Sequence, residues 1–169
     1  FIYLIGFASR NDQSISITQL LADDESDEIK ILTEFQKILA SYTKLIGFNS
    51  TRFDQSFIIE RCRKYGLKTN IAAKEHTDMY LATAKAKCIL NLANYKQKTI
   101  ENFLGLHRDD KYNGGELIPI YKHYSLLKDK ESKDLILLHN FEDVKGMISI
   151  CRIMSYPDFL SSNFKVFNL

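Results

Sequence analysis

The stretch from Lys44 to Tyr65, KLIGFNSTRFDQSFIIERCRKY, limits the fold more than any other part of the chain. Leu45 to Phe48 reads as a short apolar strand, followed by a polar turn and an amphipathic helix with Asp54 in its first turn. Open α/β sheets use that strand-to-helix step, and they place their chemistry outside the carboxyl ends of the strands. Asp54 stands at such a mouth. Two readings are open for it. It can be a metal ligand or a helix cap, because Thr51-Arg52-Phe53-Asp54 has the form of a capping box. Asn49, in the turn before it, fits an ordinary turn residue.

The rest of the chain supplies elements of the same kind. Phe1 to Ala8 is a continuous apolar run closed by turn residues, and Ser14 to Leu21 alternates, so the two predict an antiparallel hairpin. The acids from Asp23 to Asp27 read as a solvated loop and cap ahead of a helix over Glu28 to Ser41. The Lys44–Tyr65 helix should end at Gly66. Glu75 to Leu81 predicts another short strand, with Asp78 near its end. Thr83 to Cys88 and Lys98 to Leu104 read as helices, the second closed by Gly105. His107 to Gly115 reads as a loop. Glu116 to Leu127 predicts a helix that tolerates Pro119 in its first turn. The longest helical pattern is Lys133 to Ser155, and Phe159, Phe164 and Phe167 in the tail are expected to pack back on the body. No linker or repeat divides the 169 residues, which predict one domain.

Hydrophobic residues at 45% and charged residues at 26% are ordinary for a globular protein, so disorder is not the default reading. A net charge of +2 gives no bulk attraction for nucleic acid, so only local clusters could supply it. Arg61, Arg63, Lys64 and Lys68 form one such cluster, and Lys85, Lys87, Lys96 and Lys98 another; solvated helix faces explain both equally well. Cys62, Cys88 and Cys151 form no CxxC pair, so neither a disulfide framework nor a zinc site is supported, and a reducing cytoplasm is the expected compartment. No apolar run approaches the ~18 residues of a membrane span.

A second candidate site lies at LLHNFEDVKG. His139 and Asp143 stand four apart and share a helix face. Stepping ~100° per residue puts Leu137, Phe141, Val144, Ile148 and Cys151 at the middle of the apolar stripe. Asp143 then falls beside its widened edge, away from Glu142, Lys145, Ser149 and Arg152. A carboxylate shielded there needs a partner or a cation. Gly146, one turn along, would let another group approach closely. His139 is open to two readings, a satisfied half-buried histidine or a chemical group. Two acids on different helices suit a divalent cation held by hard oxygens, as in phosphoryl hydrolysis.

GFNSTRFDQSFIIERCRKYGL resembles the second acidic motif of the DEDD 3′–5′ exonucleases, N-x-x-x-F-D at a strand-to-helix turn. HNFEDV resembles their third motif, with His139 four residues before the final Asp, a spacing similar to that of the YprB-type ribonuclease H-like group. IYLIGF, KTIENFLGL and GELIPIYKHY are also similar to stretches of that group. The resemblance implies an α/β fold with a ribonuclease H-like mixed sheet, an antiparallel hairpin plus parallel strands, flanked by helices. It implies a metal-dependent nuclease, a 3′–5′ exonuclease on DNA or RNA working with two Mg²⁺ or Mn²⁺ ions. Asp54 and Asp143 would be metal carboxylates, His139 the general base, and Asn49 and Asp78 supporting residues. The family's first motif, Asp-x-Glu on the central strand, is absent from this sequence, and Phe1 to Ala8 resembles the strand after it. A single ribonuclease H-like domain over 1–169, lacking its central first strand on the N-terminal side, is therefore expected. The alternative is a catalytically inactive nucleic-acid-binding or adaptor module with the same fold.

Overall fold

A computed structural model describes residues 1–10, 14–85 and 90–154. Its hairpin pairs β1 (Leu4–Arg10) with β2 (Ile15–Leu21) antiparallel, Leu4 opposite Leu21 and Arg10 opposite Ile15. After α1 (Glu28–Leu39) comes β3 (Lys44–Gly47), then α2 (Asp54–Lys64) and β4 (Glu75–Asp78). β3 and β4 pair in parallel, Gly47 opposite Asp78. The helices α3 (Met79–Lys85), α4 (Gln97–Phe103), α5 (Leu117–Leu127) and α6 (Lys130–Met154) follow. This is the mixed α/β architecture expected from the sequence, an antiparallel pair and a parallel pair flanked by helices.

The apolar run of β1 is continuous because both faces of the strand are covered. Ile5 and Phe7 pack on the side of α1 and α2, in a core with Ile31, Leu32, Ile58 and Cys62. The Phe7 ring meets Phe35 edge-on at 5.6 Å. Leu4 points the other way, into a cluster with Tyr121, Tyr124 and Ile136 of α5 and α6. Gly6 lies on that second face, where a Cβ would overlap the Asn140 side chain. Gln19 of β2 completes the seam, donating to the Leu137 carbonyl at 2.8 Å and to Asn140 Oδ1 at 2.9 Å. A third cluster, Met79, Ile100 and Ile150, joins α3, α4 and the far half of α6, with Phe48 packed against it.

Several expectations shift. β4 ends at Asp78, and Met79 already begins a helix. The buried stripe of α6 is rotated from the predicted one. Ile136, His139, Val144, Gly146 and Ile150 are buried, Glu142 is buried too, and Phe141 is 38% exposed. A stripe drawn through apolar residues alone missed that the polar His139 occupies its centre. Arg61 does not add to a surface basic cluster. Its guanidinium turns inward onto Glu28, which is fully buried and also accepts from the Ile2 N–H at 2.7 Å and the Tyr65 hydroxyl at 2.7 Å. Cys88 and the tail phenylalanines lie outside the described residues.

The two strand pairs share the core over α1 and α2, since Leu45 of β3 packs there beside Ile5 and Phe7. Yet among the described residues no ladder joins one pair to the other. Ile46, on the other face of β3, is 46% exposed, whereas parallel strands are ordinarily covered on both faces.

Candidate active site

The β3–α2 turn delivers Asp54. Asn49 adopts the left-handed region at φ 55°, which Asn tolerates better than most residues, and this reverses the chain at the end of β3. Asp78, at the end of the neighbouring β4, fastens the turn from outside. Its Oδ1 accepts the Asn49 N–H at 2.8 Å and the Tyr80 N–H at 3.0 Å, capping α3 as well. Gly47 leaves room for Ser50, whose hydroxyl meets His76 Nε2 at 2.8 Å. Asn49 and Asp78 are thus brought together, and both shape the turn.

The capping-box reading of Asp54 does not hold. Asp54 is the first residue of α2, not the third, and no side chain caps that helix end. Asp54 is exposed as a residue, and the protein around it partly desolvates its carboxyl. That desolvation pushes its pKa upward, the negative charges of Asp78 and Asp143 push it further, and its own N–H and His76 oppose them. Residues 54 and 143, 89 positions apart in the chain, are therefore near enough for the charge of one to reach the other.

Around His139 and Asp143 the structure assembles a polar network that the sequence reading did not contain. His139 Nδ1 lies 2.7 Å from Asp110 Oδ2, and its Nε2 lies 3.4 Å from Asp143 Oδ2. Arg108 reaches in from the 105–116 loop. It donates to Asp143 Oδ1 at 2.6 Å, Glu101 Oε2 at 3.1 Å and Asp110 Oδ2 at 3.2 Å. Gln97 of α4 donates to Glu101 and to the Asp143 carbonyl. Gly146 makes the approach possible, because a Cβ there would overlap the Glu101 carboxylate. Sequence alone carried one clue to this network. Glu101 stands beside Ile100 and three residues before Leu104, an acid on an apolar face in need of a partner.

Arg108 and Lys98 offset part of the charge of three carboxylates, Asp143, Glu101 and Asp110. Desolvation works against the Arg108 cation, but Asp143 and Glu101 more than offset it and hold its pKa above the ordinary value. Burial alone would raise the Asp110 carboxyl; the Tyr112 N–H, Lys98 and His139 outweigh it and hold it below the ordinary range. Asp143 keeps a side-chain exposure of 43% and so stays reachable from outside.

Among the described residues no three His, Cys, Asp or Glu side chains stand close enough to hold an ion by themselves. The hard cation Mg²⁺ asks less of a protein, taking one or two carboxylates and completing its shell with water and substrate phosphate. The exposed Asp54 and the half-exposed Asp143 fit that demand by access, with Asp143 Oδ1 already engaged by Arg108. Asp78 fits less well, because its Oδ1 is already engaged by two backbone N–H groups.

No curated protein and no solved structure matches the chain. A family model described as the RNase_H superfamily matches residues 1–155, all but the last fourteen positions, and so spans the hairpin, the Asp54 turn and the His139–Asp143 helix. The chain belongs to the RNase H superfamily, whose members are typically nucleases that use divalent metal ions.

Proposed function

We propose that this domain is a metal-dependent 3′–5′ exonuclease acting on DNA or RNA. The observation that carries the reading is the buried His139 beside the half-exposed Asp143 on α6, in a chain of the RNase H superfamily. Asp54, at the β3–α2 turn, is near enough for the Asp143 charge to contribute to raising its pKa. Bound there, Mg²⁺ or Mn²⁺ would neutralise charge on the scissile phosphate and help form the attacking hydroxide. Asp54 and Asp143 would hold the ion, and His139 would accept the proton of the attacking water. Arg108 fixes the direction of the Asp143 carboxylate through its hydrogen bond to Oδ1. Asn49 and Asp78 hold the turn that presents Asp54.

A two-metal site needs further carboxylates. We place them on a strand N-terminal to Phe1, lying between β1 and β3, where among the described residues no ladder joins the two strand pairs. A second reading, an inactive nucleic-acid-binding module, draws on one observation: Arg108 already supplies a cation to Asp143.

The test uses protein carrying the residues upstream of Phe1 and a 5′-labelled single-stranded oligonucleotide. Mn²⁺-dependent shortening from the 3′ end is expected, and Asp143→Asn should lower it by about 10²-fold or more. Degradation undiminished in Asp143→Asn would sink the assignment, and no degradation by the parent protein would favour the inactive module.

A further inference from the structure

We infer that Asp110 is the positioning residue for His139, holding its imidazole as the Nδ1–H tautomer and leaving Nε2 as the ring's proton-accepting nitrogen. The use of His139 as a base rests on the nuclease reading above; the tautomer follows from the packing.

A neutral imidazole carries one N–H, and two carboxylates compete for it. Asp110 is at 2.7 Å and its side chain is 1% exposed; Asp143 is at 3.4 Å from the other nitrogen and 43% exposed. Two bare acceptors cannot face each other at 2.7 Å in a buried site, so Nδ1 must carry the proton whenever Asp110 is ionised. Asp110 is built to stay ionised. The Tyr112 N–H donates to its Oδ1 at 2.9 Å, while Lys98 and Arg108 each reach its Oδ2 at 3.2 Å. The ring has little room to turn, because His139 lies in the middle of α6 with only 7% exposure. The half-exposed Asp143 carboxylate lies beside Nε2, so that nitrogen is the one nearer solvent.

This arrangement suits the hydrolysis. A water gives its proton to Nε2, and its oxygen forms the new bond to phosphorus. The bond from phosphorus to the 3′-oxygen breaks, and that oxygen leaves with the electron pair and takes a proton from solvent. The imidazolium so formed lies between two carboxylates. Asp110 does not touch the reacting atoms and acts only through the ring, as the buried Asp of a catalytic triad acts through its His.

Two-bond ¹H–¹⁵N spectra of uniformly ¹⁵N-labelled protein test the tautomer directly, with His139→Gln identifying the resonances. The wild-type ring, where neutral, should show a protonated Nδ1 and an unprotonated Nε2. Asp110→Ala removes the Nδ1 acceptor, so the proton should move to Nε2, facing Asp143. In the nuclease assay kcat should then fall about 10²–10⁴-fold with KM little changed. Asp110→Asn, which keeps the volume and an acceptor for Tyr112, serves if the Ala variant does not fold. A dominant Nε2–H form in the wild type overturns the inference, as does an Asp110 variant with unaltered spectrum and kcat. Full turnover in His139→Gln would remove the base itself, and with it any positioning role for Asp110, whereas the spectra report the tautomer regardless of activity.

Discussion

Glu28 has no exposed surface, and every donor that reaches it comes from a different part of the chain: Ile2 before β1, Arg61 and Tyr65 around the end of α2. Burial alone would raise its pKa, but Arg61, the Ile2 N–H and Tyr65 outweigh it and lower the carboxyl from 4.5 to about 2. A folded-state pKa below the unfolded one stabilises the protein above the unfolded value, and the gain is lost as pH falls through the folded value. Glu28 should therefore contribute about 3 kcal/mol near neutrality, fading between pH 4.5 and about 2. Denaturant unfolding followed across that window should show the loss, and Glu28→Gln should flatten it. Arg61→Ala leaves the carboxylate buried and unpaired, so it should cost about 3–5 kcal/mol at pH 7. An Arg61→Ala variant as stable as the parent would mean that water reaches Glu28. None of this was legible beforehand, because an acid opening a helix and an Arg near a helix end each have an ordinary surface explanation. Only the tertiary contact between α1 and α2 distinguishes the pair.

At the scale of elements, local signals in the sequence were enough wherever one residue fixes the backbone. Gly66 and Gly105 do end α2 and α4, at φ 65° and 71°, and the hairpin pairs as its two strand patterns predict. Where an element's place depends on partners distant in sequence, local signals ran out. The His107–Gly115 segment read as a bare loop, yet Arg108 and Asp110 turn inward from it because Asp143, His139 and Glu101 await them. The unpaired side of β1 has a consequence that can be measured. The Ala22 N–H donates to the Tyr3 carbonyl at 2.8 Å, which sets the phase of the ladder. Ile5 and Phe7 then pair with β2, while Leu4, Gly6 and Ala8 turn their amides to the far edge. Amide hydrogen exchange on residues 1–169 should find Leu4, Gly6 and Ala8 much less protected than Ile5 and Phe7. Protein extended upstream of Phe1 should show them protected to the same degree, if a strand pairs there. Equal exchange in both proteins would remove the proposed central strand.

For the molecule as a whole, α6 is the element on which everything converges. At 25 residues it is about 37 Å long, enough to cross the hairpin through Asn140, the polar network through His139 and Asp143, and the α3–α4 cluster through Ile150. Asp54, on α2, is near enough for the Asp143 charge to reach it. A cation bridging Asp54 and Asp143 would tie α2 to α6, two elements whose own cores lie apart, so binding should be linked to global stability. A ligand that binds only the native state raises stability by RT ln(1 + [L]/Kd), about 2.7 kcal/mol at a hundredfold excess over Kd. Thermal unfolding of the wild type with Mn²⁺ or Mg²⁺ at millimolar levels should therefore move to higher temperature, while Ca²⁺-free buffer with chelator gives the baseline. Asp54→Asn should remove most of the shift and, because it relieves the crowding with Asp78 and Asp143, should leave the metal-free protein at least as stable as the parent. Asp143→Asn should also remove the shift, but it strands Arg108 beside a neutral amide and should lower the metal-free melting temperature. Opposite baselines with a common loss of response would identify one ion shared by the two helices. A shift that survives both substitutions would place the ion elsewhere, and no shift in the wild type would leave Arg108 as the cation that Asp143 is made to hold.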